Sequence, residues 1–139
     1  MTSPWGQAVT WVQALEAFAI GAVLVSLADW LFMGVAFHSK YHAYPEVWRP
    51  INRWRVPLAG VIALLTPLAF TALAMTMNLS DVHDLIHLAI LAWVAGPLPL
   101  LAVNGFFLKL HPAITFMHIV GWLVKFLAAA AGVIIAQML

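Results

Sequence analysis

The chain has 139 residues, 65% of them hydrophobic and only 8% charged, with a net charge of +1, a mean hydropathy of +1.00 and no cysteine. A soluble domain is about half apolar and carries roughly 25% charged residues, so this composition excludes an ordinary soluble globule and implies a membrane protein. The near-neutral charge gives no support for nucleic-acid binding, which needs a basic face or stripe, and the missing cysteine excludes disulfides, iron–sulfur clusters and thiolate zinc sites.

A hydrocarbon core of roughly 30 Å needs about 20 apolar residues per helical span. Four runs meet that length, over residues 8–37, 56–77, 85–108 and 113–139. The expected fold is an all-α transmembrane four-helix bundle with short loops, a single integral membrane domain over residues 1–139. The opening MTSPWGQAV lacks the positive segment of a signal peptide, so the first span is expected to stay in the mature protein. The first connection, HSKYHAYPEVWRPINRWR, is long enough for an interfacial amphipathic segment, which Pro45, Pro50 and Pro57 would break into pieces.

Charge sets the expected orientation. Lys40, Arg49, Arg53 and Arg55 fall in the first connection and Lys109 in the third, whereas NLSDVHD in the second holds only acids and a histidine. The positive-inside rule places connections one and three in the cytoplasm and both termini on the periplasmic side of an inner membrane. Arg49, Arg53 and Arg55, flanked by Trp48 and Trp54, read as a topology anchor or as contacts to anionic lipid.

Ionisable groups inside spans are costly and face the bundle interior, which singles out Glu16, Asp29, His87, His118 and Lys125. Asp29 lies roughly 12 Å, and Lys125 roughly 18 Å, from the same membrane surface at about 1.5 Å per residue. Side chains lean toward the N-terminus of their helix, and these two spans run oppositely, so Asp29 and Lys125 lean together as an ion pair. His118 shares a face with Lys125, seven residues away, and Asn104 of span three lies at a similar level. These four residues read as a ligand-binding cluster, or as an ion pair that neutralises itself beside a core histidine. His38, His42 and His111 lie at the rim of that end.

At the opposite end, DVHDLIH sets His83 and His87 one turn apart, the spacing two neutral imidazoles need to share a divalent metal. Asp84 and, from span one, Glu16 are the candidate carboxylate ligands for zinc, iron or copper. The competing reading is a capped helix start, with Asn78 or Ser80 as the cap and Asp81 and Asp84 favoured by the helix dipole. HDLIH departs from the protease pattern HExxH by an aspartate in place of the glutamate, and no third ligand follows at a diagnostic spacing. Haem is a weaker possibility, because histidines at i and i+4 of one helix cannot reach opposite faces of a porphyrin. Glu16 and Asp29 are thirteen residues apart and point about 140° away from each other, so one faces a different neighbour or a second subunit.

Gly96, Pro97 and Pro99 predict a kink in span three, and the cluster from Ala128 to Gly132 predicts close helix approach in span four or in a homo-oligomer. The segments SLADWLFMGVAFHSKYHAYPEVWR and NGFFLKLHPAITFMHIVGWLVK resemble small bacterial four-span membrane proteins of a family of unknown function. That resemblance implies a helical inner-membrane protein and brings no catalytic residues. The leading functional expectation is a membrane protein that binds a metal ion or a small amphipathic ligand through its histidines and carboxylates. The rivals are an oligomeric proton-coupled transporter, an enzyme acting on a lipid or quinone, and an accessory subunit of a membrane complex.

Overall fold

The computed structural model describes residues 10–43 and 53–139, apart from the side chains of residues 40–42, and every regular element among them is helical. In chain order these are α1 (Trp11–Asp29), a π-helical segment (Trp30–Ala36), α2 (His38–Ala43), α3 (Arg55–Ala63), α4 (Leu65–Thr76), α5 (Val82–Ala95), α6 (Pro97–Phe107) and α7 (Pro112–Met138). They combine into four stretches long and apolar enough to cross a membrane, Trp11–Ala36, Arg55–Thr76, Val82–Phe107 and Pro112–Met138. This is a four-helix bundle with the architecture of a multi-pass membrane protein. The short helix α2 stands where the interfacial segment is expected. The expectations for Pro45, Trp48, Arg49 and Pro50, and for the side chains of Lys40 and His42, lie outside the described residues.

The ends of the spans are set by local hydrogen bonding. Thr10 and Gln13 form a reciprocal capping box, in which Thr10 Oγ1 accepts from Gln13 N at 3.2 Å and Gln13 Oε1 accepts from Thr10 N at 3.0 Å. Span two ends at Asn78, whose left-handed φ of 52° lets Asn78 N donate to Met75 O (3.1 Å) and Leu79 N donate to Ala74 O (2.9 Å). That pair of bonds is a Schellman turn with asparagine in the usual glycine position. Span three is capped by Asp81, whose Oδ1 accepts from His83 N at 2.8 Å; Asn78 terminates the preceding span instead. His111 caps span four through Nδ1, which accepts from Ala113 N at 3.2 Å, and Pro112 opens the helix where no donor is required.

Three spans depart from a regular α-helix, each for a visible reason. In span one, Phe37 N donates to Phe32 O at 3.0 Å, five residues back, and the two rings stack at 5.8 Å. In span two, Pro67 lacks the donor that would bond Ala63 O, and α3 gives way to α4 at Leu64. In span three the break falls at Gly96 (φ −121°, ψ −86°), immediately before Pro97, as the sequence predicts.

Spans one and four form the spine of the bundle. A Cβ added to Gly132 would lie 2.7 Å from Gly21 N and 2.8 Å from Ala17 O, so the two backbones touch there. Small residues permit this approach where lipid supplies no hydrophobic drive. Pro67 of span two packs on the same point, 3.1 Å from a Cβ built on Gly21. The core runs from this crossing toward the end bearing Asp81, through Ala17, Phe70, Ala74, Leu85, Ala89 and Val133. The other half is more open: α3 and α6 bury no residue, and Phe106 and Phe107 are each 83% exposed, although Ile114 and Met117 of α7 are buried there. Trp93 Nε1, donating to Ile119 O at 2.8 Å, ties span three to span four beside the break at Gly96. Gln137 Nε2, donating to Leu79 O at 3.3 Å, fastens the far end of span four to the turn between spans two and three.

Candidate functional site

Two polar clusters stand at opposite levels of the bundle. The deeper one joins the spine helices in the open half. Lys125 Nζ lies 2.6 Å from Asp29 Oδ1, with the side chains 17% and 29% exposed. The lysine reaches this position from the middle of α7, and the aspartate sits at the last α-helical residue before the π-helical segment. Lys125 also lies 4.5 Å from the centre of the Trp122 ring, close enough for a cation–π contact. Beside the pair is a recess of about 20 Å³, with Asp29, His118 and Lys125 on its polar side and Phe32, Met117 and Trp122 on its apolar side. That volume suits about one water molecule.

The structure thus brings together three of the four residues expected at this level. Asn104, half-buried on α6, lies outside the lining of the recess. His38 opens α2 at the rim, and His111 is engaged as the cap of span four. Trp122 is the residue that depth and charge do not reveal. Its spacing of three from Lys125 is the one signal in the sequence that places both on one helical face.

The second cluster lies on the first turn and a half of α5. His83, Asp84 and His87 each offer a ligand atom, and these atoms lie within 4.8 Å of one another. The imidazoles meet edge to face, with centroids 4.0 Å apart, and His83 Nδ1 is 3.7 Å from Asp84 Oδ1. All three side chains are exposed. Glu16, half-buried on α1, is not a member of this group. The helix start is capped as the second reading of DVHDLIH expects, though by Asp81 rather than Asn78 or Ser80, and the cap leaves the carboxylate of Asp84 and both imidazoles exposed.

Such a set can take a borderline divalent cation. Two imidazole nitrogens and one carboxylate oxygen are donors of the types that zinc accepts, and would supply three of the four in a tetrahedral site. The deep cluster has a different chemistry. Its carboxylate is already matched by an ammonium, so it is neutral as a unit and presents no free charge to a metal. No protein-family model, curated protein or solved structure matches this chain.

Proposed function

We propose that this chain is a multi-pass membrane protein that binds a divalent transition-metal ion, with zinc as the best fit, through His83, His87 and Asp84. The observation that carries the reading is the convergence of three ligand atoms of mixed nitrogen and oxygen type within 4.8 Å on one helix. Asp81 contributes without touching the metal: its carboxylate holds the backbone of His83 and so fixes the start of the helix on which both imidazoles stand. Exposure of all three ligands suits a site that exchanges its metal with the aqueous phase, and the open coordination position suits water or a donor from a partner.

Isothermal titration of the purified full chain with Zn²⁺ tests the reading. The expected result is one Zn²⁺ per chain, with His83→Ala/His87→Ala weakening binding by more than about tenfold, equivalent to about 1.4 kcal/mol. Acidification releases the metal, because imidazole ligands must be neutral to bind. An unchanged isotherm in the double variant contradicts the proposal. Asp81→Ala is expected to cost about 1 kcal/mol of stability, read by thermal melting in detergent, through loss of the cap. It should weaken zinc binding less than removal of either histidine.

Arg53, Arg55 and Lys109 at one end and Asp81 and Asp84 at the other support an orientation with the basic end in the cytoplasm and both termini on the periplasmic side of a bacterial inner membrane. This would put the zinc ligands on the periplasmic face.

A further inference from the structure

Spans one and two part below the break at Leu64. Every residue from Arg55 to Ile62 is exposed, on all faces of α3, within a stretch that is long and apolar enough to cross a membrane. Between the two spans at this level lies a groove of about 360 Å³, lined by Ala22, Val23, Ser26, Leu27 and Leu64. Pro57, Gly60 and Leu64 follow one another at helical spacing along one side of span two, and a Cβ added to Gly60 meets nothing within 4 Å, so open space continues from Leu64 toward the start of α3. Atoms that face a void forfeit their dispersion contacts, so a groove within a membrane is filled by a lipid chain or by another helix.

Charge near the start of α3 decides between these occupants. Arg53 and Arg55 flank the exposed Trp54, and the Arg53 guanidinium lies 5.3 Å from the centre of the Trp54 ring. Among the described residues the acids are Glu16, Asp29, Asp81 and Asp84; Asp29 is matched by Lys125, and the other three belong to the opposite end of the bundle. The connection that precedes Arg53 adds Lys40, Glu46 and Arg49 in sequence, two cations against one acid. A second copy of the chain lying parallel would bring the same basic end to the same level, where like charges oppose it. An anionic phospholipid brings the opposite charge. Its length fits as well, since the eleven residues from Arg53 to Leu64 rise about 16 Å as helix, and half of a hydrocarbon core of roughly 30 Å is about 15 Å.

We propose that the groove between spans one and two holds one acyl chain of an anionic phospholipid, whose phosphate binds the Arg53 guanidinium with Arg55 beside it. The chain lies over Gly60 and ends against Leu64, Val23 and Leu27 near the middle of the bilayer. Arg53 presents a planar fork of N–H donors that matches phosphate oxygens, and its stacking on Trp54 suits the headgroup level. Lipid tails are as apolar as the groove, so shape and packing hold the chain while the headgroup supplies the selectivity.

Native mass spectrometry of the full chain, released from detergent micelles after exchange against phosphatidylglycerol or phosphatidylcholine, tests this. The wild type should retain one phosphatidylglycerol per chain and hold it about tenfold more tightly than phosphatidylcholine, as two arginines near a membrane surface allow. Arg53→Gln/Arg55→Gln should abolish that preference while keeping a wild-type circular dichroism spectrum. Ser26→Phe fills the groove and leaves both arginines in place, so it should lose the bound lipid of either kind, whereas Ser26→Ala should retain it. Should Ser26→Phe fail to fold, Ala22→Leu narrows the same groove and should lose the lipid likewise. An excess of inorganic phosphate should leave phosphatidylglycerol bound; displacement by phosphate would show an anion site that does not use the groove. That displacement, equal retention of the two lipids by the wild type, a preference unaltered in the double arginine variant, or retention unaltered in a folded groove-filling variant overturns the proposal.

Discussion

Gly132→Val is expected to destabilise the bundle by about 3 kcal/mol, the upper part of the usual range for overpacking a filled interior. The first added carbon would stand within 2.8 Å of Gly21 N, Gly21 Cα and Ala17 O. These are backbone atoms of a helix that cannot swing aside as a long side chain can. Relief requires spans one and four to separate, and that separation also disturbs Pro67, which packs on Gly21 from span two. Gly60→Ala provides the control, since a Cβ at Gly60 meets nothing within 4 Å. It should be neutral or raise stability by about 0.5 kcal/mol, the gain of removing glycine from a helix interior. Melting of both variants in detergent, followed by circular dichroism, separates them; equal stability would show that spans one and four do not cross at these glycines.

The second large effect is expected at the ion pair. Lys125→Met leaves the Asp29 carboxylate partly buried without a counter-charge and should cost about 3 kcal/mol in neutral buffer, as breaking one side of a buried pair does. Asp29→Asn should cost about 1 kcal/mol less, because the Trp122 ring still faces the ammonium. Unfolding of both variants in mixed detergent reads the difference.

Much of this architecture is legible in the sequence, for reasons that differ from residue to residue. Span length and number follow from hydropathy, because lipid enforces internal hydrogen bonding over a fixed thickness. The meeting of Asp29 and Lys125 is open to reasoning from depth, since helical rise is constant and antiparallel helices tilt their side chains toward each other. The contact at Gly132 is announced by the run of small residues before it, but its partner Gly21 is not, because hydropathy says nothing about which faces of two apolar helices touch. The break at Leu64 was equally available, as Pro67 stands in plain view; an uninterrupted apolar run masks it. The π-helical segment after Asp29 has no one-dimensional signature, and the stacking of Phe32 on Phe37 that accompanies it is equally invisible in a run of apolar residues.

His83, Asp84 and His87 show the same division. The spacing of His83 and His87 follows from helical periodicity, and so does the outward turn of Asp84 beside them. Glu16 could be placed by depth but not by azimuth, and depth alone is insufficient when the helices it links are separated by others. Capping was the least legible feature. Asp81, Asn78 and Ser80 are all competent residues, and which one caps span three depends on where the Schellman turn releases the chain.

The claim on which the rest stands is that polar side chains of spans one and four meet each other within the membrane-spanning part of the bundle. A double-mutant cycle at Asp29 and Lys125, measured by unfolding in bicelles, tests it most directly. The account predicts that Asp29→Asn/Lys125→Met recovers most of the stability lost in Lys125→Met, with a coupling of about 2 kcal/mol or more, since two neutral side chains leave no charge to bury. Losses that simply add would mean the two groups do not interact, and would contradict it.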